Sequence, residues 1–304
     1  MLAILSQSMS LLLIIILGYI VKRLGLIMLE DGKLLGKIIM YITLPATAIQ
    51  SLNGTKIENE FIFMLVIAII LNIFLSAGTA LASKNFTPQK RTYFTLSQAN
   101  YNIGNFVIPF LYSIVPATIP YVAAFDIGNA IMVFGFIPAL VDGINNQNTQ
   151  EKSHLRKLGQ SLTHSPAFMT YCVMLVLLIA NIELPTTLIQ PFQIIANANS
   201  FLSMFMIGIF LEIRLPREDL NLVIQALSLR YGTAIIIAIA AWFLLPLSLT
   251  VKIALISLIL SPIATMATLK MVAVGIDPKA TGFISSASIV ISLLLITAFL
   301  TLIA

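Results

Sequence analysis

A cluster of amide, glycine and proline residues interrupts an otherwise apolar stretch at residues 97–110. The residues in it that can bind a solute or break a helix are Asn100, Asn102, Gly104, Asn105 and Pro109. Proline lacks an N–H and clashes with the preceding turn, so the pattern predicts a helix that breaks at Pro109. The asparagines before the break can satisfy freed backbone groups or hydrogen-bond a small solute. The alternative is a proline kink whose asparagines only contact neighbouring helices.

A second interrupted segment, with the sequence SPIATMAT, follows about half the chain later. It contains Ser261, Pro262 and Thr265. If both breaks lie at the same depth in a membrane, two half-helix N-termini converge there. Their free N–H groups and positive dipole ends suit an anion such as a carboxylate. Two unrelated prolines are the alternative, because proline is common in membrane helices.

Ionisable and amide residues also fall inside apolar runs elsewhere. Asp126 and Asn129 lie near the middle of one such run, where a carboxylate predicts coupling to a proton or a sodium ion. Hydrogen bonding to a neighbouring helix is the alternative role for Asp126. Arg230 precedes the densest apolar part of its run, so we expect its side chain to extend to the cytoplasmic interface. The alternative role for Arg230 is a counter-ion for an anionic substrate. Asn72 is expected to form a hydrogen bond between helices.

The composition places these residues in a membrane protein. Of the 304 residues, 59% are hydrophobic and 10% are charged, and the mean hydropathy is +1.01. The single cysteine and the two histidines match no metal-binding spacing, and no enzyme or nucleotide-binding motif is present. We therefore predict no enzyme activity, no cofactor, no metal site and no nucleic-acid partner. We interpret the formal charge of +5 as the excess of basic residues in the loops on one side of the membrane.

Apolar runs of about 20 residues predict an all-α polytopic protein with ten transmembrane helices. The predicted spans are residues 5–21, 34–52, 61–82, 93–112, 117–140, 166–182, 188–211, 222–247, 252–272 and 279–303. They divide the chain into a first five-helix repeat at 1–145, a cytoplasmic loop at 146–165 and a second repeat at 166–304. Because five is odd, the second set enters the membrane with opposite polarity, as an inverted repeat does. Spans four and nine carry the two interrupted segments.

The basic residues of the connecting loops indicate the orientation. Fourteen of them fall on one side of the predicted membrane: Lys22, Arg23, Lys33, Lys37, Lys84, Lys90, Arg91, Lys152, Arg156, Lys157, Arg214, Arg217, Lys270 and Lys279. Only Lys56 and Lys252 fall on the other side. We expect a multi-pass protein of the cell membrane, a bacterial inner membrane or its equivalent, with both termini outside.

These motifs together resemble the auxin efflux carrier family, which includes plant auxin exporters and bacterial dicarboxylate carriers. The residues that carry the resemblance are Leu44-Pro45, Asn102, Gly104, Pro109, Asp126, Asn129, Asn197, Gly208, Pro262 and Gly275-Ile276-Asp277. The resemblance implies two inverted bundles in which spans four and nine cross at the binding site. It also implies a scaffold subset and a transport subset of helices that move against each other. Pro45 and Asn199, in spans two and seven, join the candidate solute-binding residues.

The sequence therefore predicts a secondary active transporter that moves a small organic anion by alternating access at the crossing of spans four and nine. Proton and sodium are both candidate coupling ions, and the lipid bilayer is the expected surroundings. A homodimer is a candidate assembly. Two alternatives remain open, a sodium-coupled carrier like the bile acid symporters and a membrane sensor that binds a solute without transporting it.

Overall fold

The structure is a computed structural model that describes residues 2–145, 151–213 and 219–304, without the side chains of 151–155. Several predicted features lie outside the described residues. They are the start of the predicted cytoplasmic loop at 146–150, the side chain of Lys152, and the residues Arg214 and Arg217. Within those ranges the chain is mostly helical, and its β-type pairing is limited to one isolated antiparallel bridge, between Tyr101 and Ile263.

The helices follow one another with short connections. They are α1 (Leu2–Arg23), α2 (Leu29–Ile38), α3 (Leu44–Leu52), α4 (Asn59–Ala82), α5 (Pro88–Gln98), α6 (Ile108–Ile114), α7 (Ile119–Ile131), α8 (Ile137–Ile144), α9 (Glu151–Thr163), α10 (Pro166–Ile179), α11 (Thr186–Phe210), α12 (Leu220–Leu244), α13 (Leu249–Ile259), α14 (Thr265–Ala273) and α15 (Pro278–Ile303). The described part of the chain also has three π-helical turns. Ile39–Thr43 joins α2 to α3, Ile103–Val107 begins the helix that continues as α6, and Met132–Phe136 joins α7 to α8.

Seven helical segments in the described ranges are long and apolar enough to cross a membrane. They are Leu2–Arg23, Leu29–Leu52, Asn59–Ala82, Pro116–Ile144, Thr186–Phe210, Leu220–Leu244 and Pro278–Ile303. Many large apolar side chains on their outer faces are exposed, as expected for contact with lipid. The chain is therefore a multi-pass helical membrane protein. The other three predicted spans correspond to α10 and to two interrupted helices.

Each π-helical turn ends two positions before a proline, and this corrects the predicted position of the first break. Proline cannot donate to a carbonyl four residues back, and its ring crowds that carbonyl. A π-turn instead lets the preceding residue bond five residues back, as the N–H of Ile108 does to Ile103 O. The helix therefore continues through Pro109, and the break comes earlier, at residues 99–102. Pro45 follows a π-turn in the same way.

The polar stretch predicted as a cytoplasmic loop contains a helix. α9 runs over Glu151–Thr163, and its residues 156–163 meet α10 at 82°. Its sequence alternates between apolar and charged faces, and Leu158 packs towards Gly135. A loop was expected because the stretch is polar overall, but one apolar stripe is enough to fix a helix against its neighbours.

The helices pack most extensively within two sets. In the first set α11 packs against α1 and α3, and α3 packs against α10. In the second set α4 packs against α5 and α7, and α12 packs against α5 and α13. Glycines allow the closest approaches, because Gly18 faces Gly208 between α1 and α11, and Gly128 lies against the backbone of Leu65.

Candidate functional site

Two interrupted helices cross where their backbones are extended. The chain leaves α5 at Gln98 and becomes helical again at Ile103, and it leaves α13 at Ile259 and becomes helical again at Thr265. We call residues 99–102 and 260–264 the crossover. Asn102 N–H donates to Pro262 O at 3.0 Å, and Ala264 N–H donates to Asn100 O at 3.2 Å. These two bonds satisfy backbone groups that each broken helix would otherwise leave without partners.

Two helices therefore begin at the crossover and two end there. The N-termini belong to Ile103–Ile114 and to α14, and the first turn of each leaves N–H groups without an intrahelical acceptor. Such ends carry partial positive charge. The predicted convergence of two half-helix N-termini is present in the structure.

A cavity of about 420 Å³ adjoins these N-termini. Its lining includes six of the predicted site residues: Asn102, Gly104, Asn105, Asp126, Asn129 and Thr265. A smaller cavity of about 180 Å³ shares Asn102, Asn105 and Thr265 with it.

Asn102 is the polar residue of this lining that most favours a bound solute. It is only 5% exposed, and among the described residues its amide side chain has no hydrogen-bond partner. An amide that lines a cavity and has no protein partner is a group that a solute can bind.

The remaining lining of the larger cavity is mostly apolar and aromatic. Phe134, Phe168, Tyr171 and Phe210 surround it together with Met206 and Met266. At one end the cavity is lined by Lys33 and Lys37, which are exposed, so it opens to solvent there. An apolar chamber with a few polar groups at its inner end is the usual form of a small-molecule site.

The helix that begins at Ile103 is tightly packed after its first residues. Phe106 and Phe110 are both fully buried, and their rings stack with centroids 5.7 Å apart. Ile108 and Leu111 are buried with them. The same helix N-terminus thus faces an open chamber on one side and continues into packed aromatic side chains on the other.

Asp126, on α7 of the second set, contacts a helix of the first set. Tyr171 of α10 donates its hydroxyl to Asp126 Oδ2 at 3.2 Å, and Asn129 Nδ2 lies 3.5 Å from Oδ1. Asn72 of α4 then donates to Asn129 Oδ1 at 3.3 Å, which is the predicted hydrogen bond between helices. The carboxylate therefore stands in the wall of the cavity, at the end of a chain of polar groups. The contact with Tyr171 had no signal in the sequence, because tyrosine in an apolar run gives no indication of its partner.

Arg230 lies at the crossover and not at the membrane interface, which corrects the sequence-based expectation. Its side chain is only 2% exposed. One guanidinium nitrogen donates to Ser97 O at 2.6 Å and Gln98 O at 3.0 Å. The other donates to Ser261 O at 2.8 Å and lies 3.5 Å from Asn100 O. The available signal was the rarity of arginine inside a span, which marks a functional candidate by default.

The other predicted site residues lie outside the lining of the two cavities. Asn100, Ser261 and Pro262 build the crossover through their carbonyl oxygens. Asn199 accepts a hydrogen bond from Thr43 at 2.8 Å, between α11 and the first π-turn. Pro109 O accepts from Ser200 at 2.6 Å, so it joins the helix after the crossover to α11.

The fold and the site define a multi-pass helical membrane protein with an open chamber that ends at two crossed, broken helices. Compared with known proteins, the chain matches no family model and no curated protein.

Proposed function

We propose that the protein is a secondary active transporter of the auxin efflux carrier type that moves a small organic anion across the cell membrane. The single observation that carries the proposal is the buried Asn102 amide, without a partner, at two converging helix N-termini. Together these groups offer hydrogen-bond donors and positive partial charge to a carboxylate. Discontinuous helices whose N-termini point at an anionic group are a recurring site design in secondary transporters.

The proposed topology has ten spans in two inverted repeats. It adds α10, the pair α5 and Ile103–Ile114, and the pair α13 and α14 to the seven long helices. The matching interruption of the fourth and ninth spans supports the repeat. The fourteen-to-two distribution of basic residues supports a cytoplasmic position for Lys33 and Lys37 and external termini.

In this topology the structure corresponds to an inward-open state. The chamber reaches Lys33 and Lys37, on the proposed cytoplasmic side, whereas the buried Phe106 and Phe110, on the helix that would lead outwards, line neither cavity. Alternating access would then move the α4, α5, α7, α12 and α13 set against the α1, α3, α10 and α11 set. Because Asp126 and Tyr171 belong to different sets, their hydrogen bond would have to break in that movement. This makes Asp126, with Asn129, the proposed coupling site.

The test is solute flux with purified protein in liposomes. A panel of monocarboxylates and dicarboxylates is first screened by thermal shift, where a ligand at a hundred times its Kd stabilises by about 2.7 kcal/mol. Any ligand that is found is then used radiolabelled. Saturable counterflow is the expected result. Ohmic current would indicate a channel, and binding without flux would indicate a sensor, and either outcome contradicts the proposal.

A further inference from the structure

Arg230 is a buried cation whose charge is balanced mainly by backbone carbonyl oxygens. In the part of the chain that the structure describes, no carboxylate lies within ion-pair distance of its guanidinium. Its partners are the four carbonyl oxygens at the ends of α5 and α13, the ring of Tyr101, 5.8 Å from the guanidinium carbon, and the hydroxyl of the adjacent Tyr231. An unpaired charge away from water is unfavourable unless dipoles compensate it.

Those dipoles are the C-terminal ends of the two broken helices. A helix C-terminus carries partial negative charge, and here two such ends meet at one point. Carbonyl oxygens released at broken helices are the groups that hold a coupling cation in secondary transporters. The crossover therefore presents the ligand set of a cation site, and the Arg230 guanidinium occupies it through a covalent tether to α12.

We propose that Arg230 is a built-in cation that takes the place of a sodium ion at the crossover, so that the site assembles without sodium. The proposal deepens the proposed function by distinguishing this chain from a sodium-coupled carrier. Arg230 acts as a positioning residue, because it holds the helix C-termini together while the N-termini on the other side face the chamber. Its charge also favours an anion there at all times, whether or not sodium is present.

The experiment measures thermal unfolding of the purified full-length chain in detergent, without solute, in sodium chloride and in choline chloride. The wild type is expected to melt at the same temperature in both salts. Arg230→Ala is expected to melt lower, and added guanidinium ion at low concentration is expected to raise its melting temperature towards the wild-type value. Stabilisation of the wild type by sodium over choline, or an Arg230→Ala variant that melts like the wild type or gains nothing from guanidinium, overturns the proposal.

Arg91→Ala is the matched control. Arg91 also donates to a backbone carbonyl, Ala80 O at 2.8 Å, but it lies away from the crossover. Its variant is expected to show no rescue by guanidinium, and equal rescue of both alanine variants would contradict a specific site.

A second pair of variants keeps the test decisive if Arg230→Ala does not fold. Arg230→Lys retains the charge, whereas Arg230→Met retains only the length of the side chain. The lysine variant is expected to melt above the methionine variant, and identical melting temperatures would overturn the role of charge. None of these measurements uses flux, so a failure of the transport assay and a failure here are separate results.

Discussion

The crossing of α1 and α11 gives a stability prediction whose size follows from the geometry. Gly208→Ala adds a methyl group where the two backbones touch. The new Cβ would overlap the carbonyl oxygen of Ile15 and stand 2.9 Å from the Tyr19 nitrogen and 3.0 Å from the Gly18 Cα. All three are backbone atoms, so no side chain can rotate to make room, and the helices must separate along their contact.

Overpacking of this kind costs about 1–3 kcal/mol. Taking roughly 2 °C per kcal/mol for a chain longer than 250 residues, the melting temperature should fall by about 2–6 °C. The single tryptophan, Trp242, packs edge-on against Phe299 at 5.8 Å and provides a fluorescence signal for unfolding in detergent.

Gly232→Ala is the control, because a Cβ at this helical position meets nothing within 4 Å. Alanine is favoured over glycine in a helix interior by about 0.5–1 kcal/mol, so this variant should melt at or above the wild-type temperature. If Gly208→Ala melts with the wild type, or if both variants fall equally, the close backbone contact does not determine stability and the reasoning is refuted.

Three further predictions concern the site and the topology. Asn102→Ala should raise the Kd of the solute found by screening about tenfold to a hundredfold, because it removes a charge-assisted hydrogen bond of about 1.5–3 kcal/mol. Asn72→Ala should instead lower the melting temperature and leave Kd unchanged. If both behave alike in a binding titration, site and packing roles are not separate. Asp126→Asn should still bind and exchange solute but lose uphill transport driven by a proton gradient in proteoliposomes; intact accumulation would remove Asp126 from coupling. Cysteines at Lys157 and Ala304 should react with an impermeant maleimide from opposite sides, and same-side labelling would contradict the ten-span topology.

The two interrupted helices could be predicted from sequence because amides and prolines inside apolar runs are conspicuous. The residues at which the helices break were harder to predict. Pro109 indicated a break, but a π-turn accommodates it, and the extended backbone lies several residues earlier. Whether a proline breaks a helix or follows a π-turn depends on packing around the turn, which the local sequence does not encode.

Arg230 shows a second limit of sequence-based reasoning. The apolar run after Thr233 indicated a span boundary, and a long basic side chain at a boundary usually extends to water. The carbonyls that hold it come from residues far away in the chain, and they become free only because two other helices are broken. Neither condition can be recognised from the residues around position 230.

The Arg230 contacts also constrain how the protein is made. The hydrogen bond from Arg230 to Gln98 spans 132 residues. At a synthesis rate of about 5–20 residues per second, the end of α5 waits roughly 7–26 s for its partner. During that interval the freed carbonyls need water or the insertion machinery, since lipid offers no donor. The amino-terminal half is therefore translated first, but the end of α5 has its full set of partners only after α12 and α13 have been synthesised.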